Sequence, residues 1–302
     1  MLKKKSELKI NNQPFISELY LIKTLGIKRY CYKSFYVGLF IAFYPLFFSL
    51  ILVTLCEILL KSSFFYPFIF AFLIVYASIE LRTLGNILHE CVHNSFFRKR
   101  KHNHILGHII AFLIFENFKD YKHCHFSHHY NTCDMTHDGD LKTRLFLGIH
   151  LKESKVFYLK KILSPLNILR ALRTIFNFSK NNKAYSFLKA CYLGILFTLV
   201  FYFHFYWILI CFFLPFVTFY QYLKFFSDIA DHARLTSGYD IYTKTRNHIF
   251  KFKVLNFIFF PRYDAYHMTH HMYPTIGVRY LEKLHNYLLI HDLRYKAKKH
   301  DF

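Results

Sequence analysis

The sequence predicts an all-α integral membrane protein, with four transmembrane helices in two hairpins and a cytoplasmic helical cap that carries clustered histidines. Three observations predict it. The 302-residue chain is 54% hydrophobic, with 38 Phe and 24 Tyr, although 19% of residues are charged. Its mean hydropathy is above zero, so apolar and basic residues must be segregated into blocks, as in polytopic membrane proteins. The histidines recur at helical spacing in three places rather than being scattered.

The elements follow in order. Residues 1–34 form a separate cytoplasmic segment, with Lys3, Lys4 and Lys5 but no apolar run of signal-peptide type. Within it, residues 15–30 mix apolar and basic positions, as an interfacial helix or an ordinary solvated one would. Residues 35–302 form the membrane domain. Residues 35–56 carry no charge and are long enough to cross a hydrocarbon core of about 30 Å; Pro45 lies inside this span. Residues 64–82 form the second span, continuing as a helix to about residue 94. Residues 105–115 are too short to span and read as a buried or interfacial helix. Residues 190–223 are too long for one straight span. His204 in that stretch marks a turn between helices near 188–203 and 206–224.

Four spans put both termini and the long 83–187 loop on one side. Of 40 Lys and Arg, only Lys61 falls in a far-side loop, as the positive-inside rule requires of a cytoplasmic near side. Every histidine cluster then lies on that face. The seven cysteines have no repeating spacing and read as reduced thiols. A thiolate ligand from Cys91 or Cys124 is the lesser alternative, since an all-imidazole site already has enough donors.

His89 and His93 form HECVH; His125, His128 and His129 form an HxxHH; His267, His270 and His271 form another. Positions i, i+3 and i+4 share a helix face. Eight imidazoles exceed what one ion can use, since zinc takes four ligands and an octahedral ion six. Two metal ions are the simplest reading, and imidazole suits iron, copper, zinc and nickel. Asp138, Asp231 and Asp264 are candidates to accept the second ring N–H of a ligand histidine; Glu116, Asp120, Asp140 and Asp228 also lie near. His232, beside Asp231, is a further candidate. HECVH also fits a membrane zinc metalloprotease with Glu90 activating water, which leaves six clustered histidines unused. A heme carrier using paired histidines is a third class.

HECVH, HCHFSHH and HMTHH, in that order and spacing, resemble the three histidine boxes of the membrane-bound fatty acid desaturase and hydroxylase superfamily. The likeness extends through HHMYPTIGVRYLEKLH, with Tyr273, Pro274, Leu281 and His285, and through DHARLTSGYDIYTKTRN, with Thr245 and Arg246. It covers roughly residues 35–290. It implies a pair of non-heme irons held by the eight histidines together with His232, O₂ as co-substrate, and oxidation of an unactivated C–H bond of a lipid chain. The leading expectation is an acyl-lipid desaturase. The alternative within the fold is a lipid or carotenoid hydroxylase or ketolase. Asp138-Gly139-Asp140 departs from the family's Asp-Pro-Asp or Asp-Pro-Glu, and Asp231 stands where Glu is common. No HPGG heme signature is present, so a separate electron donor such as ferredoxin or cytochrome b5 is expected. The net charge of +22 suits anionic headgroups and an acidic donor; interleaved with membrane spans, it does not point to nucleic acid. Glu90→Gln is expected to leave much of the activity if Glu90 is only structural.

Overall fold

The computed structural model describes residues 16–301, apart from 135, 142–144, 146–153, 166, 180–181, 234 and 236–239. Among the described residues every long element is a helix, and strand-like pairing is confined to two isolated bridges, Tyr32 with Phe97 and Ile249 with Asp301. Helix α1 is Glu18–Leu25, α2 is Phe35–Leu60, α3 is Tyr66–Val92, α4 is Arg100–Leu113 and α5 is Phe118–Tyr130. After these come α6, Lys155–Ile162, α7, Asn167–Phe176, and α8, Lys183–Phe201. The span α9, Leu209–His232, begins with a π-helical turn and is interrupted at Thr218. Four shorter helices follow: α10 Ile241–Lys244, α11 Lys253–Phe259, α12 His267–Met272 and α13 Leu281–His291, with α14, Leu293–Lys296, at the end.

Four helices, α2, α3, α8 and α9, are long and apolar enough to cross a membrane. Their burial says what surrounds them. The most apolar window of α2 is 22% buried and that of α8 only 11%. Phe40, Phe47, Ile58, Phe187 and Phe197 are exposed. Helices apolar on all sides yet unburied by protein require a lipid environment. The turn at His204, where φ is 58°, divides the second hairpin as expected, but its two helices run further than the hydropathy alone indicated. Both extend into polar ends, because α8 begins at Lys183 and α9 carries Asp228, Asp231 and His232 in its last turns.

Helix α3 is the spine. At 27 residues it is about 40 Å long, and its last three turns are almost wholly buried. Leu84, Ile87, Leu88, Cys91 and Val92 share one core with Leu106 and Ile110 of α4, Phe115 just beyond it, Phe118 of α5, Ala171 and Ile175 of α7, and Phe216 and Tyr220 of α9. The second core joins α1 to the C-terminal helices: Leu21 and Ile27 pack with Met268, Tyr273, Ile276, Leu284, Leu288 and Tyr295. The segment before the first span is thereby clamped onto the third histidine box. Gly277 permits this, since a Cβ there would sit 2.8 Å from the Tyr30 carbonyl carbon.

A buried lysine fastens the second hairpin. Lys189 on α8 is 1% exposed, and its Nζ donates to the carbonyls of Phe115, Thr174 and Asn177, each at 2.8 Å. These are orphan carbonyls just beyond α4 and at the end of α7. Lys189→Met keeps the length of the side chain and removes all three donors. It is expected to cost about 2 kcal/mol, because each unsatisfied buried carbonyl costs roughly 1–3 kcal/mol and relief of the lysine's own desolvation offsets part of that. Thermal unfolding in detergent checks this; an unchanged midpoint would contradict it.

Candidate metal centre

The C-terminal ends of α3, α5 and α9 converge with the short helix α12. His89 lies in the last turn of α3 and His93 caps it. Helix α5 starts where Asn117 Oδ1 accepts from the amides of Lys119 and Asp120, and it carries His125, His128 and His129. His232 ends α9. The six-residue α12 carries His267, His270 and His271, all buried.

The nine imidazoles form two sets. His89, His93, His125, His129 and His270 offer ring nitrogens that all lie within 4.8 Å of one another; His128, His232, His267 and His271 do the same. The sets adjoin, since the rings of His129 and His271, one from each, stack with centroids 4.1 Å apart. Each HxxHH is divided in the same way. Its first and last histidines, at i and i+4, serve one set and the middle one serves the other, with the roles of the sets exchanged between α5 and α12. A single helix face therefore feeds two sites.

Nε2 of His93 lies 2.8 Å from Nε2 of His125, and Nε2 of His267 lies 3.0 Å from Nε2 of His232. Two ring nitrogens this close cannot both carry protons. Burial, with the neighbouring imidazoles as the next cause, holds His93, His129, His267 and His271 well below the usual imidazole range, and puts His270 at about 3. The centre is a dense array of neutral nitrogen donors.

Carboxylates and carbonyls orient the rings from behind. Asp138 contacts His128 Nδ1 with both oxygens at 3.1 Å, and also accepts from the amides of Cys133 and Asp140. Its loop lies tightly on α5, since a Cβ on Gly139 would meet Cys124 Sγ at 2.8 Å. His232 Nδ1 donates to the Lys244 carbonyl at 3.1 Å. Asp231 Oδ1 lies 3.7 Å from His267 Nδ1 and 3.2 Å from His248 Nε2. A proton held at Nδ1 leaves Nε2 as the donor atom.

Several expectations need correction. Asp264 is engaged by other groups; it accepts from Arg82 at 2.7 Å and from Ser227 at 3.0 Å. Cys91 and Cys124 belong to neither set, and Cys124 donates to Asp140 at 3.1 Å. Asp228 pairs with Arg170 at 3.0 Å, and Asp120 accepts from Ser179. Both Glu90 oxygens accept from the Arg262 guanidinium, Oε2 at 3.0 Å, and Cys31 Sγ donates to the same Oε2 at 3.3 Å. This carboxylate is tied up in a structural pair, which leaves it poorly placed to activate a water. Sequence reasoning missed His248 and the buried net of Asn247, Thr269, Tyr295 and His300 that backs α12. The adjacency of Asn247 and His248 to Thr245-Arg246 was the one available signal.

In metal-free protein the buried imidazoles make a pH prediction. An unfolded chain takes up protons near 6.5, whereas these folded groups accept them only at lower pH, His270 near 3. Stability is complete above 6.5 and is lost progressively as pH falls towards 3. A thermal midpoint that declines between pH 7.5 and 5 is expected; a flat profile would contradict it.

The fold and the nine histidines define a class: a multi-span helical membrane protein whose metal-binding potential is concentrated in one buried double site. Residues 63–300 match the family model described as Fatty acid desaturase, and the chain belongs to that family. A protein of Bacillus subtilis (strain 168) named Fatty acid desaturase is 33% identical over 67 residues, a stretch of 22% of this chain and 19% of that protein.

Proposed function

We propose that the protein is an O₂-dependent acyl-lipid desaturase that introduces a double bond into a fatty acyl chain, using two non-heme irons. The observation that carries this reading is the pair of adjoining nitrogen sets. The residues fit the metal. Buried ring nitrogens of His89, His129, His270 and His271 have no hydrogen-bond partner, and unpaired polar atoms at such depth imply a ligand. His89, His93, His125, His129 and His270 would hold one iron, and His128, His232, His267 and His271 the other. Bound iron supplies the activation of O₂ needed to remove hydrogens from an unactivated chain.

The remaining roles belong to the protein. Asp138, Asp231 and the Lys244 carbonyl fix ring orientation. Helix α3 and the cores around it exclude water. The apolar spans admit an acyl chain from the bilayer. Residues 35–302 form the desaturase domain, with residues 1–34 on its cytoplasmic side. The active site faces the cytoplasm, as the basic loops favour, and electrons arrive from a separate donor such as ferredoxin or cytochrome b5.

The test is expression in a host of simple lipid profile, with mass spectrometry of all lipids and metal analysis of the purified protein. Loss of two hydrogens from an acyl chain, with about two irons per chain, is expected. Gain of one oxygen would replace this reading with the hydroxylase or ketolase one. One zinc and no lipid change would end both.

A further inference from the structure

We propose that the outer face of α4 and the start of α5 form a phosphate-binding subsite that takes the headgroup of an anionic bilayer lipid. Arg100, His104 and His108 stand at i, i+4 and i+8 and so form one stripe along α4. Lys119 and Lys122, at i and i+3 on α5, supply the facing row. Lys122 Nζ lies 3.4 Å from His104 Nε2, and Arg100 Nε lies 3.5 Å from the same atom. A neutral imidazole offers one lone pair there, and two cations compete for it.

Among the described residues, Arg100, Lys119 and Lys122 make no ion pair. The nearby acid Asp120 is engaged by Ser179 Oγ at 2.9 Å. Burial and then the Lys122 and Arg100 cations lower His104; burial and then Lys119 lower His108. Like charges gathered this closely repel, and a bound anion reverses the sign of that interaction. A phosphate offers several acceptor oxygens to the ammonium and guanidinium donors.

The surroundings choose the source of the phosphate. Ile105 and Ile109, one residue along the helix from His104 and His108, are exposed. The Phe118 and Phe126 rings lie 5.9 Å and 5.6 Å from Lys122 Nζ. The C-terminal end of α4 packs into the same core as Phe212, Phe213 and Phe216 of a membrane span. An apolar strip beside a cationic strip, at the end of the spans, matches a lipid in which acyl chains meet a charged headgroup. None of these residues belongs to the two nitrogen sets, so the subsite and the proposed catalysis stand or fall separately.

The test is histidine footprinting with diethyl pyrocarbonate on the full protein in nanodiscs, read peptide by peptide. His104 and His108 are expected to be protected in discs containing phosphatidylglycerol and to react in discs of phosphatidylcholine alone. His137, whose side chain is 69% exposed, serves as the reactive control. Lys122→Gln should need about fivefold more phosphatidylglycerol for equal protection, the value of one basic residue at an anionic surface, while Lys122→Arg should not. Equal protection in both lipids, or in neither, would overturn the proposal. Protection in phosphatidylcholine discs on adding inorganic phosphate would overturn the lipid assignment in favour of a soluble ligand.

Discussion

His128→Ala is expected to abolish lipid oxidation and to lower bound iron to about one per chain. His128 belongs to the smaller set, in which its loss leaves three imidazoles, His232, His267 and His271. The five-histidine set still has four ligands after any one deletion. His128 should therefore be more damaging to metal content than His270, although both histidines should be needed for activity. The side chain is also the one best held from behind, by both oxygens of Asp138 at 3.1 Å. Loss of such outer partners alone typically costs 10–100-fold in metal affinity or activity, so removal of the ligand itself should cost more than about 100-fold. Asp138 keeps the amides of Cys133 and Asp140 as donors, and the loop should survive the substitution. Iron analysis, lipid product and helical content on one preparation check this. Retained iron and retained turnover would remove His128 from the site.

The contrast between the two sets could not be read from spacing. HxxHH puts three rings on one helical face, and a face suggests one site. What divides them is direction. The rings at i and i+4 lie one turn apart along the helix, and the ring at i+3 projects to the side, so α5 and α12 each reach both sets. The histidines themselves were legible because few other demands place so many imidazoles at helical spacing. The spans were legible because apolar length has one cause in a chain this charged. His232 was less so, since an Asp-His pair at a helix end is common, and only the resemblance raised it. Pairings such as Arg262 with Glu90 or Arg82 with Asp264 join residues remote in sequence, and local pattern carries no trace of them. The expectation for Asp264 failed for that reason: proximity to His267 along the chain suggested a ligand partner, whereas Arg82 of α3 claims it.

Those two ion pairs share a purpose. Both run from α3, which carries the first box, to the short turn Pro261–Tyr266 that leads into the third. Arg262 and Tyr263 in that turn adopt left-handed backbone conformations, with φ of 60° and 63°, which non-glycine residues hold only when the surroundings impose it. Asn86 adds a hydrogen bond from α3 to the Pro261 carbonyl at 2.7 Å. The third box is thus set against the first by a clamp.

Glu90→Gln tests the clamp and is expected to destabilise the protein by about 3–5 kcal/mol, the usual consequence of leaving one member of a buried ion pair uncompensated. The Glu90 side chain is 1% exposed and that of Arg262 is 15% exposed, so water cannot restore the lost partner. The sequence-based expectation that a structural Glu90 would tolerate this change is corrected by the burial of the pair: activity should fall along with stability and with iron occupancy. The double substitution Glu90→Gln, Arg262→Gln removes both charges and should recover a substantial part of the stability, since no unpaired ion then remains. Thermal unfolding of the single and double variants separates this role from general-base chemistry. In a hydrolytic zinc enzyme using HECVH, Glu90→Gln would abolish activity at unchanged stability and unchanged metal content, and the second substitution would restore nothing.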